Sequence, residues 1–181
     1  MRRVLIILGA LFVVSVISAP SAVAASPHFK RGGSPTCTIS GGAASKSTTC
    51  TATLAGLGND DLLVTTSTSG FALYQCQNAG GNVAPGQNRV LVGPATSTTS
   101  IPGDQIKNGN LTFFTNPAVL TAAPTVPADV AGCPNPNWSG VNPTVTLTDI
   151  TLVIEQPPGT VLFTCTASDP NGLSGTVALS C

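Results

Sequence analysis

The sequence predicts an all-β fold, an immunoglobulin-like antiparallel β-sandwich held by three disulfides. In the stretch CTATL, Cys50, Ala52 and Leu54 alternate with threonines, which is typical of a strand with one buried and one wet face. Short segments of this kind recur between turn residues, and 15 prolines with 19 glycines leave no room for a long amphipathic helix. The cysteines number six, an even count that indicates disulfides.

The first segment, residues 1–25, is typical of a secretory signal peptide. Basic residues Arg2 and Arg3 precede an apolar run, and small residues lead to a cleavage point near Ala25. The apolar run, 4–17, is shorter than the roughly 18 residues that a membrane-spanning helix needs. The sequence therefore predicts a secreted, extracellular protein with no membrane span.

The mature chain is expected to form one domain, because about 156 residues suit a single hydrophobic core. It divides into a flexible N-terminus, 26–36, and a single β-sandwich domain, 37–181. The proline-rich stretch 116–138 is expected to cross between the sheets, with Trp138 in a stiffened loop at its end. The predicted strands, each bounded by Gly, Pro or Asn, are 48–55, 61–68, 70–76, 88–93, 110–115, 143–156, 160–166 and 176–180.

The phase of the alternation changes within the longest predicted strand. Val145 and Leu147 occupy odd positions, whereas the apolar residues from Ile150 onward occupy even ones. A bulge near Asp149 would return all of them to one buried face.

Strand phase and turn position favour particular disulfides. Cys165 and Cys181 share phase with the apolar residues of their strands, and the turn signal SDPNGLSG lies between them. We therefore expect a hairpin bridged by these two cysteines. The same reasoning joins Cys37 to Cys50 around a Gly-Gly turn.

Cys76 and Cys133 then pair by elimination. The loop that they close is long enough for the chain-entropy model to assign it roughly 4 kcal/mol. A rival set joins Cys76 to Cys165 across the two sheets, and the sequence leaves it open.

Titratable groups that could carry catalysis are few. His28 is the only histidine, and no GxSxG or HExxH motif accompanies it. Asp149 and Glu155 on a regular strand would be roughly 20 Å apart, against the roughly 5 to 9.5 Å of glycosidase pairs. We therefore expect a protein that is not an enzyme, with a carboxylate-dependent hydrolase as the less favoured alternative.

No metal or cofactor is expected. The close CxxC pairs of zinc sites are missing from the sequence. Asp60 and Asp61 are better explained as a solvated turn than as a calcium site, which needs six to eight oxygen ligands. Charged residues are 8% of the chain and form no basic cluster, which argues against nucleic acid and anionic membranes as partners.

The stretch YQCQNAGGN, Tyr74 to Asn82, ends an apolar segment in a loop of Gly, Asn and Gln. Its simplest interpretation is a sheet-end turn in which Gly80 and Gly81 adopt positive φ. The functional alternative is a site for a small neutral ligand, formed where a Cys76–Cys133 disulfide would bring two loops together. Its predicted residues combine amides with aromatic rings: Tyr74, Asn78, Asn82, Gln87 and Trp138.

These patterns favour a secreted, non-enzymatic β-sandwich that acts as a structural or interaction module in the cell envelope or medium. The alternative is an extracellular binding protein for a small apolar ligand or a neutral glycan. The expected partner is an extracellular or envelope component.

Five segments, HFKRGG, LAGLGNDDLLV, YQCQNAGGN, IKNGNLTF and CPNPNW, resemble in that order a group of uncharacterised small exported proteins of actinobacteria. The likeness implies a secreted β-rich domain and no particular activity or functional residue. In architecture and in YQC the chain also resembles the enediyne-binding apoproteins, immunoglobulin-like sandwiches that hold a chromophore in a cleft. That resemblance implies ligand binding, but the third disulfide and the proline-rich crossing segment depart from the pattern.

Overall fold

The computed structural model describes residues 26–181, and their regular secondary structure is almost entirely β-strand. Helix is limited to one turn, Ala128–Ala131 (α1), and a 3-10 turn, Gly103–Gln105. Within the described residues no helix is long and apolar enough to cross a membrane. The predicted signal peptide, 1–25, lies outside the described residues. The strands are β1 His28–Phe29, β2 Thr36–Ser40, β3 Ser45–Ala55, β4 Leu62–Asn78, β5 Val83–Pro85, β6 Val90–Ile101, β7 Leu111–Phe114, β8 Ala118–Thr121, β9 Thr125–Pro127, β10 Trp138–Glu155, β11 Val161–Leu173 and β12 Thr176–Ala178.

The strands form two antiparallel sheets, which we call sheet 1 and sheet 2. In sheet 1, β3 is central: β1 and β2 pair with one of its edges, β7 and β8 pair with the other, and β12 pairs with β2. In sheet 2, the long strands β4 and β10 pair along most of their length. Strands β5 and β6 flank β4, and β9 and β11 flank β10.

The two sheets pack face to face around two apolar clusters. The larger cluster contains fully buried residues of both sheets, such as Leu54 of β3 and Leu152 of β10. The smaller cluster lies around Cys76 and is built mainly from small side chains together with Tyr74. Burial of apolar area between the sheets is the main favourable term in folding. The predicted all-β sandwich is therefore confirmed, and its immunoglobulin-like topology stays a prediction.

The bulge predicted near Asp149 is present in β10. Leu147 and Asp149 of β10 pair with the consecutive residues Gly70 and Ser69 of β4, which leaves Thr148 as an extra residue, and the pairing with β11 shifts at the same place. Val145 and Leu147 before the bulge and Ile150 after it are all buried. One inserted residue therefore restores a single core face, as the phase change predicted.

The three disulfides join the predicted pairs, Cys37 to Cys50, Cys76 to Cys133 and Cys165 to Cys181. Cys37 and Cys50 lie directly opposite each other on β2 and β3. Because Cys76 is bonded to Cys133, the rival pairing with Cys165 is excluded. Three disulfides indicate an oxidising environment.

The predicted hairpin between Cys165 and Cys181 is wrong, although the disulfide is right. Strand β11 continues past the expected turn to Leu173 and pairs with β10 of sheet 2, whereas β12 pairs with β2 of sheet 1. Apart from the disulfide, the ends of this segment meet at a single bridge between Thr166 and Ser180.

The turn signal forms a bulge instead of a hairpin. Leu147 and Asp149 of β10 pair with Leu173 and Ser168 of β11, so the residues between Ser168 and Leu173 loop out of the ladder. Gly175, with a φ of 64°, then lets the chain change sheets. A local turn signal does not specify which strand the next segment pairs with.

Two predicted strands, 61–68 and 70–76, are one strand, β4, with an irregularity in its pairing to β6 between Thr68 and Gly70. A Cβ at Gly70 would overlap the carbonyl oxygen of Thr146 on β10. Glycine is therefore needed here because two backbones approach closely, and it does not end the strand.

The N-terminal segment and the surroundings of Trp138 differ in detail from the prediction. Instead of a flexible terminus, the N-terminal segment forms β1 on the edge of β3, and the Phe29 ring packs 4.5 Å from Phe163 between centroids. Trp138 is the first residue of β10 and is half-buried against the smaller cluster, not a loop residue.

Candidate functional site

The segment from Tyr74 to Asn82 comprises the end of β4, which reaches Asn78, and the turn that leads to β5. The Gly81 N–H donates to the Asn78 carbonyl at 3.0 Å, and the Asn82 N–H donates to the Asn78 side-chain oxygen at 2.9 Å. Gly81 has positive φ, as predicted, whereas Gly80 does not. The side chain of Asn78 is thus already used to close the turn.

The predicted ligand-binding residues are only partly brought together. Trp138 lies opposite Asn78 on β10, and the Gln87 N–H donates to the Ala131 carbonyl of α1, so three loops meet near the Cys76–Cys133 disulfide. Tyr74 faces the interior instead: it is 4% exposed, and its hydroxyl donates to the Ala123 carbonyl at 2.9 Å. Burial raises the pKa of the Tyr74 phenol.

The two carboxylates considered for catalysis both stabilise local structure. Asp149 accepts hydrogen bonds from the hydroxyls of Thr148, at 2.6 Å, and Ser168, at 2.7 Å, and these bonds lower its pKa. Glu155 accepts from the Gly159 N–H at 2.9 Å and so closes the turn after β10. Asp149 is thus engaged by β10 and by the neighbouring strand β11, and Glu155 by its own turn.

Gln156 was missed by the sequence analysis. It is 7% exposed, its side-chain oxygen accepts from the Gly58 N–H, and its amide donates to the carbonyls of Gly58 and Asp60. Asp61 in turn accepts from the Gly103 N–H at 2.8 Å. The Asp60–Asp61 pair therefore belongs to a loop held by Gln156, and no sequence signal identifies that distant contact.

Clusters of metal-ligating side chains are not found in the part of the chain that the structure describes. No group of three or more His, Cys, Asp or Glu side chains lies close enough to hold an ion. His28 is exposed, and one of its ring nitrogens lies 2.8 Å from the Ser26 carbonyl.

The outer face of sheet 1 carries Ser and Thr on neighbouring strands in register. Thr36 lies opposite Thr51, and Thr38 lies opposite both Thr49 and Thr176. Directly opposed residues share a face of the sheet, so these side chains point outward together. We call this surface the hydroxyl face; its hydroxyl-bearing residues are Thr36, Thr38, Ser40, Ser45, Ser47, Thr49, Thr51, Thr53, Thr112, Thr121 and Thr176.

Two large apolar side chains are also exposed on the hydroxyl face. Phe114, 69% exposed, lies opposite Thr51, and Val119, 50% exposed, lies opposite Ser47. Among the described residues, the outward positions of β2, β3, β7, β8 and β12 carry no charged side chain. These positions therefore offer hydroxyls and one aromatic ring without a formal charge, and the ionisable groups nearest to them, His28 opposite Ala55 and Lys30 beside Thr53, lie at the β1 edge of the sheet.

Two clefts lie near the smaller cluster. One, of about 470 Å³, is lined by Trp138 together with Cys133 and Asp129. The other, of about 640 Å³, lies where the β2–β3 loop meets Gln75 of β4 and Asn142 of β10. Of the predicted ligand-binding residues, Trp138 lines the first cleft and none lines the second.

Comparison with known proteins gives no relative from which a role could be carried over. No family model, no curated protein and no solved structure matches the chain.

Proposed function

We propose that this protein is an extracellular, non-enzymatic interaction module that binds a neutral polysaccharide through the hydroxyl face. The observation that carries the proposal is the uncharged array of Ser and Thr in register across sheet 1, with Phe114 exposed among them. The three disulfides favour an extracellular setting.

The spacing of the array suits a ligand rich in hydroxyl groups. Adjacent strands are about 4.8 Å apart and alternate residues along a strand about 6.8 Å apart, so a sugar chain meets hydroxyls repeatedly. Each Ser or Thr hydroxyl donates one hydrogen bond and accepts two, as sugar hydroxyls also do. Some are paired with a neighbour, Ser45 with Thr121 at 3.0 Å and Thr53 with Thr112 at 2.9 Å, which orients them before a ligand arrives.

Phe114 supplies the apolar part of such a contact. A sugar ring has an apolar face, and an exposed aromatic ring on a rigid strand can cover that face with little loss of conformational entropy. Because no ion pair is involved, binding should be insensitive to salt.

Sedimentation with insoluble neutral polysaccharides tests this function. The probes are cellulose, chitin, mannan and an insoluble α-glucan, each at low and high salt. We expect at least one to retain the protein at both salt concentrations and Phe114→Ala to weaken retention about tenfold, the loss of one stacking contact. Leu91→Ala is the matched control, because Leu91 is 88% exposed on the outer face of sheet 2.

The sedimentation assay has one result that supports the proposal and two that overturn it. Retention that Phe114→Ala reduces and Leu91→Ala leaves unchanged supports the hydroxyl face. No retention on any of the four probes, or equal losses in both variants, overturns the proposal.

A further inference from the structure

The cleft beside Asn142 is a second surface with features of a binding site, separate from Phe114 and the centre of the hydroxyl face. We propose that it binds a small neutral molecule that has an apolar body and an amide-like edge with one hydrogen-bond donor and one acceptor. Its volume, about 640 Å³, lies in the range of small-molecule sites, which is roughly 300 to 1,000 Å³.

A pair of side-chain amides supplies the polar contacts. The Asn142 amide donates to the side-chain oxygen of Gln75 at 3.1 Å. This bond leaves the Gln75 NH₂ as a donor and the Asn142 carbonyl as an acceptor, and both residues line the cleft. A donor next to an acceptor is complementary to an amide or lactam, and the bond between the two side chains holds them in that arrangement before binding.

The backbone fixes Asn142 in an uncommon conformation. Two residues of β10, Asn142 and Pro143, oppose Tyr74 alone on β4, which produces a bulge. Asn142 has a φ of 49°, in the left-handed region that Asn tolerates better than most residues. The bulge turns the Asn142 side chain toward Gln75 across the ladder.

The rest of the cleft is lined by Ala and Pro together with Thr121 and Thr144, and hydrogen bonds hold its walls. The carbonyls of Ala43 and Ala44 accept from the N–H groups of Val145 and Ala122, so the β2–β3 loop ties sheet 1 to sheet 2 at this point. From the interior, the Tyr74 hydroxyl holds the Ala123 carbonyl next to the lining residue Ala122. Tyr74, predicted to touch a ligand, is instead a positioning residue that supports the cleft wall.

The charge of the lining selects the ligand class. Its side chains come from Ala, Pro, Thr, Gln and Asn, and none is ionisable. A charged ligand entering the cleft would lose hydration without gaining a counter-ion, which is costly. The structure therefore favours a neutral occupant.

Titration of the ¹⁵N-labelled protein with acetanilide, a neutral molecule with one ring and one amide, tests the inference. Benzoate, which has the same ring and a negative charge, is the control probe. We expect saturable shifts for the amides of Ala44 and Ala122 and for the Asn142 side chain with acetanilide, and none with benzoate.

Asn142→Gly removes the side-chain amide while keeping a residue that accepts positive φ. It should weaken acetanilide binding about tenfold through the loss of one to two hydrogen bonds. Asn108→Gly is the matched control, because Asn108 is the other non-glycine residue with positive φ in the described chain, at 52°, and it lies outside the cleft.

The inference is overturned if acetanilide gives no saturable shifts in the cleft, if benzoate binds equally well, or if Asn142→Gly and Asn108→Gly bind alike. The polysaccharide assays rest on Phe114 and Thr49, which do not line this cleft, although Thr121 of the hydroxyl face does. The two proposals therefore fail independently.

Discussion

The outer faces of the two sheets both carry rows of hydroxyls, but they differ in charge. On sheet 2, Ser67 lies in register with Thr96 of β6 and Thr151 of β10. The carboxylates of Asp149 and Glu155 lie on either side of this row along β10. On the hydroxyl face of sheet 1 the outward positions of β2, β3, β7, β8 and β12 carry no carboxylate, and Lys30 lies only at its β1 edge, beside Thr53.

The faces differ in aromatic exposure as well. On sheet 2, the guanidinium of Arg89 lies 4.3 Å from the centre of the Phe71 ring and donates to the Pro170 carbonyl, and Phe71 is 7% exposed. On sheet 1, nothing covers Phe114 to a similar degree. On sheet 2, Arg89 and Asp149 are therefore engaged in contacts with β11, at Pro170 and Ser168. The exposed ring of Phe114 on sheet 1 is available to a partner.

The largest expected effect is the loss of stability on removing a disulfide, and it should differ between the disulfides of the two sheets. Replacing Cys76 and Cys133 by Ala should lower the free energy of unfolding by about 4 kcal/mol, because the bond closes a long loop. Cys76 and Cys133 are 57 positions apart in the sequence, and their bond lies at the end of sheet 2. Urea unfolding measures the loss, and polysaccharide retention should survive it in folded protein.

The matched variant replaces Cys37 and Cys50, whose bond lies directly beneath the hydroxyl face. The shorter loop, with a separation of 13, predicts a smaller loss of about 3 kcal/mol. Polysaccharide retention should fall in this variant, because β2 and β3 lose the covalent bond between them and keep only their hydrogen bonds. Loss of retention only in the Cys76 and Cys133 variant would contradict the assignment of the two faces.

A charge placed in each hydroxyl row is the next test. Thr49→Lys should reduce retention about tenfold or more, because a neutral ligand would cover an unpaired ammonium group. Ser67→Lys, in the corresponding row of sheet 2, should leave retention unchanged. If both variants lost retention equally, the outer faces would not differ in function.

Replacing a Thr by Val should affect stability at inward positions and polysaccharide retention at outward positions. Thr48, Thr66 and Thr68 are at most 1% exposed, and their hydroxyls have no hydrogen-bond partner within the described residues. Thr66→Val should therefore raise the free energy of unfolding by about 1 kcal/mol, since a buried unsatisfied hydroxyl is removed. The outward control Thr49→Val should leave stability nearly unchanged and weaken retention; a destabilised Thr66→Val would be the opposite result.

The smallest effect concerns Asp149 on sheet 2. Its pKa is lowered in the folded state by hydrogen bonds from Thr148 and Ser168, so its contribution is present above the unfolded pKa and is lost as pH falls through the folded pKa. Because Asp149 is exposed, Asp149→Asn should cost only about a few tenths of a kcal/mol at neutral pH. Unfolding curves of the two proteins should converge in acid, and a constant difference would exclude the ionised form as the cause.

Local patterns were sufficient for much of the fold. The phase change around Thr148 predicted the bulge because side-chain alternation depends only on neighbouring residues. Strand phase likewise predicted that Cys37 faces Cys50. The hairpin between β11 and β12 failed because Gly175 changes the sheet, and that choice depends on which partner strand is available in the folded protein.

The candidate sites depend on distant contacts. The alternation in β3 predicted a wet face, but the hydroxyl face exists only because β2, β7 and β8 align with β3 in register. The contact between Gln75 and Asn142 spans 67 residues of sequence. Tyr74 was predicted to contact a ligand, yet its phase on β4 directs it inward to the Ala123 carbonyl.

Chemical-shift mapping with a soluble neutral oligosaccharide, taken from the polysaccharide that retains the protein, tests the central claim most directly. Saturable shifts of the ¹⁵N amides should be confined to β2, β3, β7 and β8 and be weakened in Phe114→Ala. Shifts centred on the outer face of sheet 2, or a map unchanged by Phe114→Ala, would contradict the claim that the hydroxyl face binds the glycan.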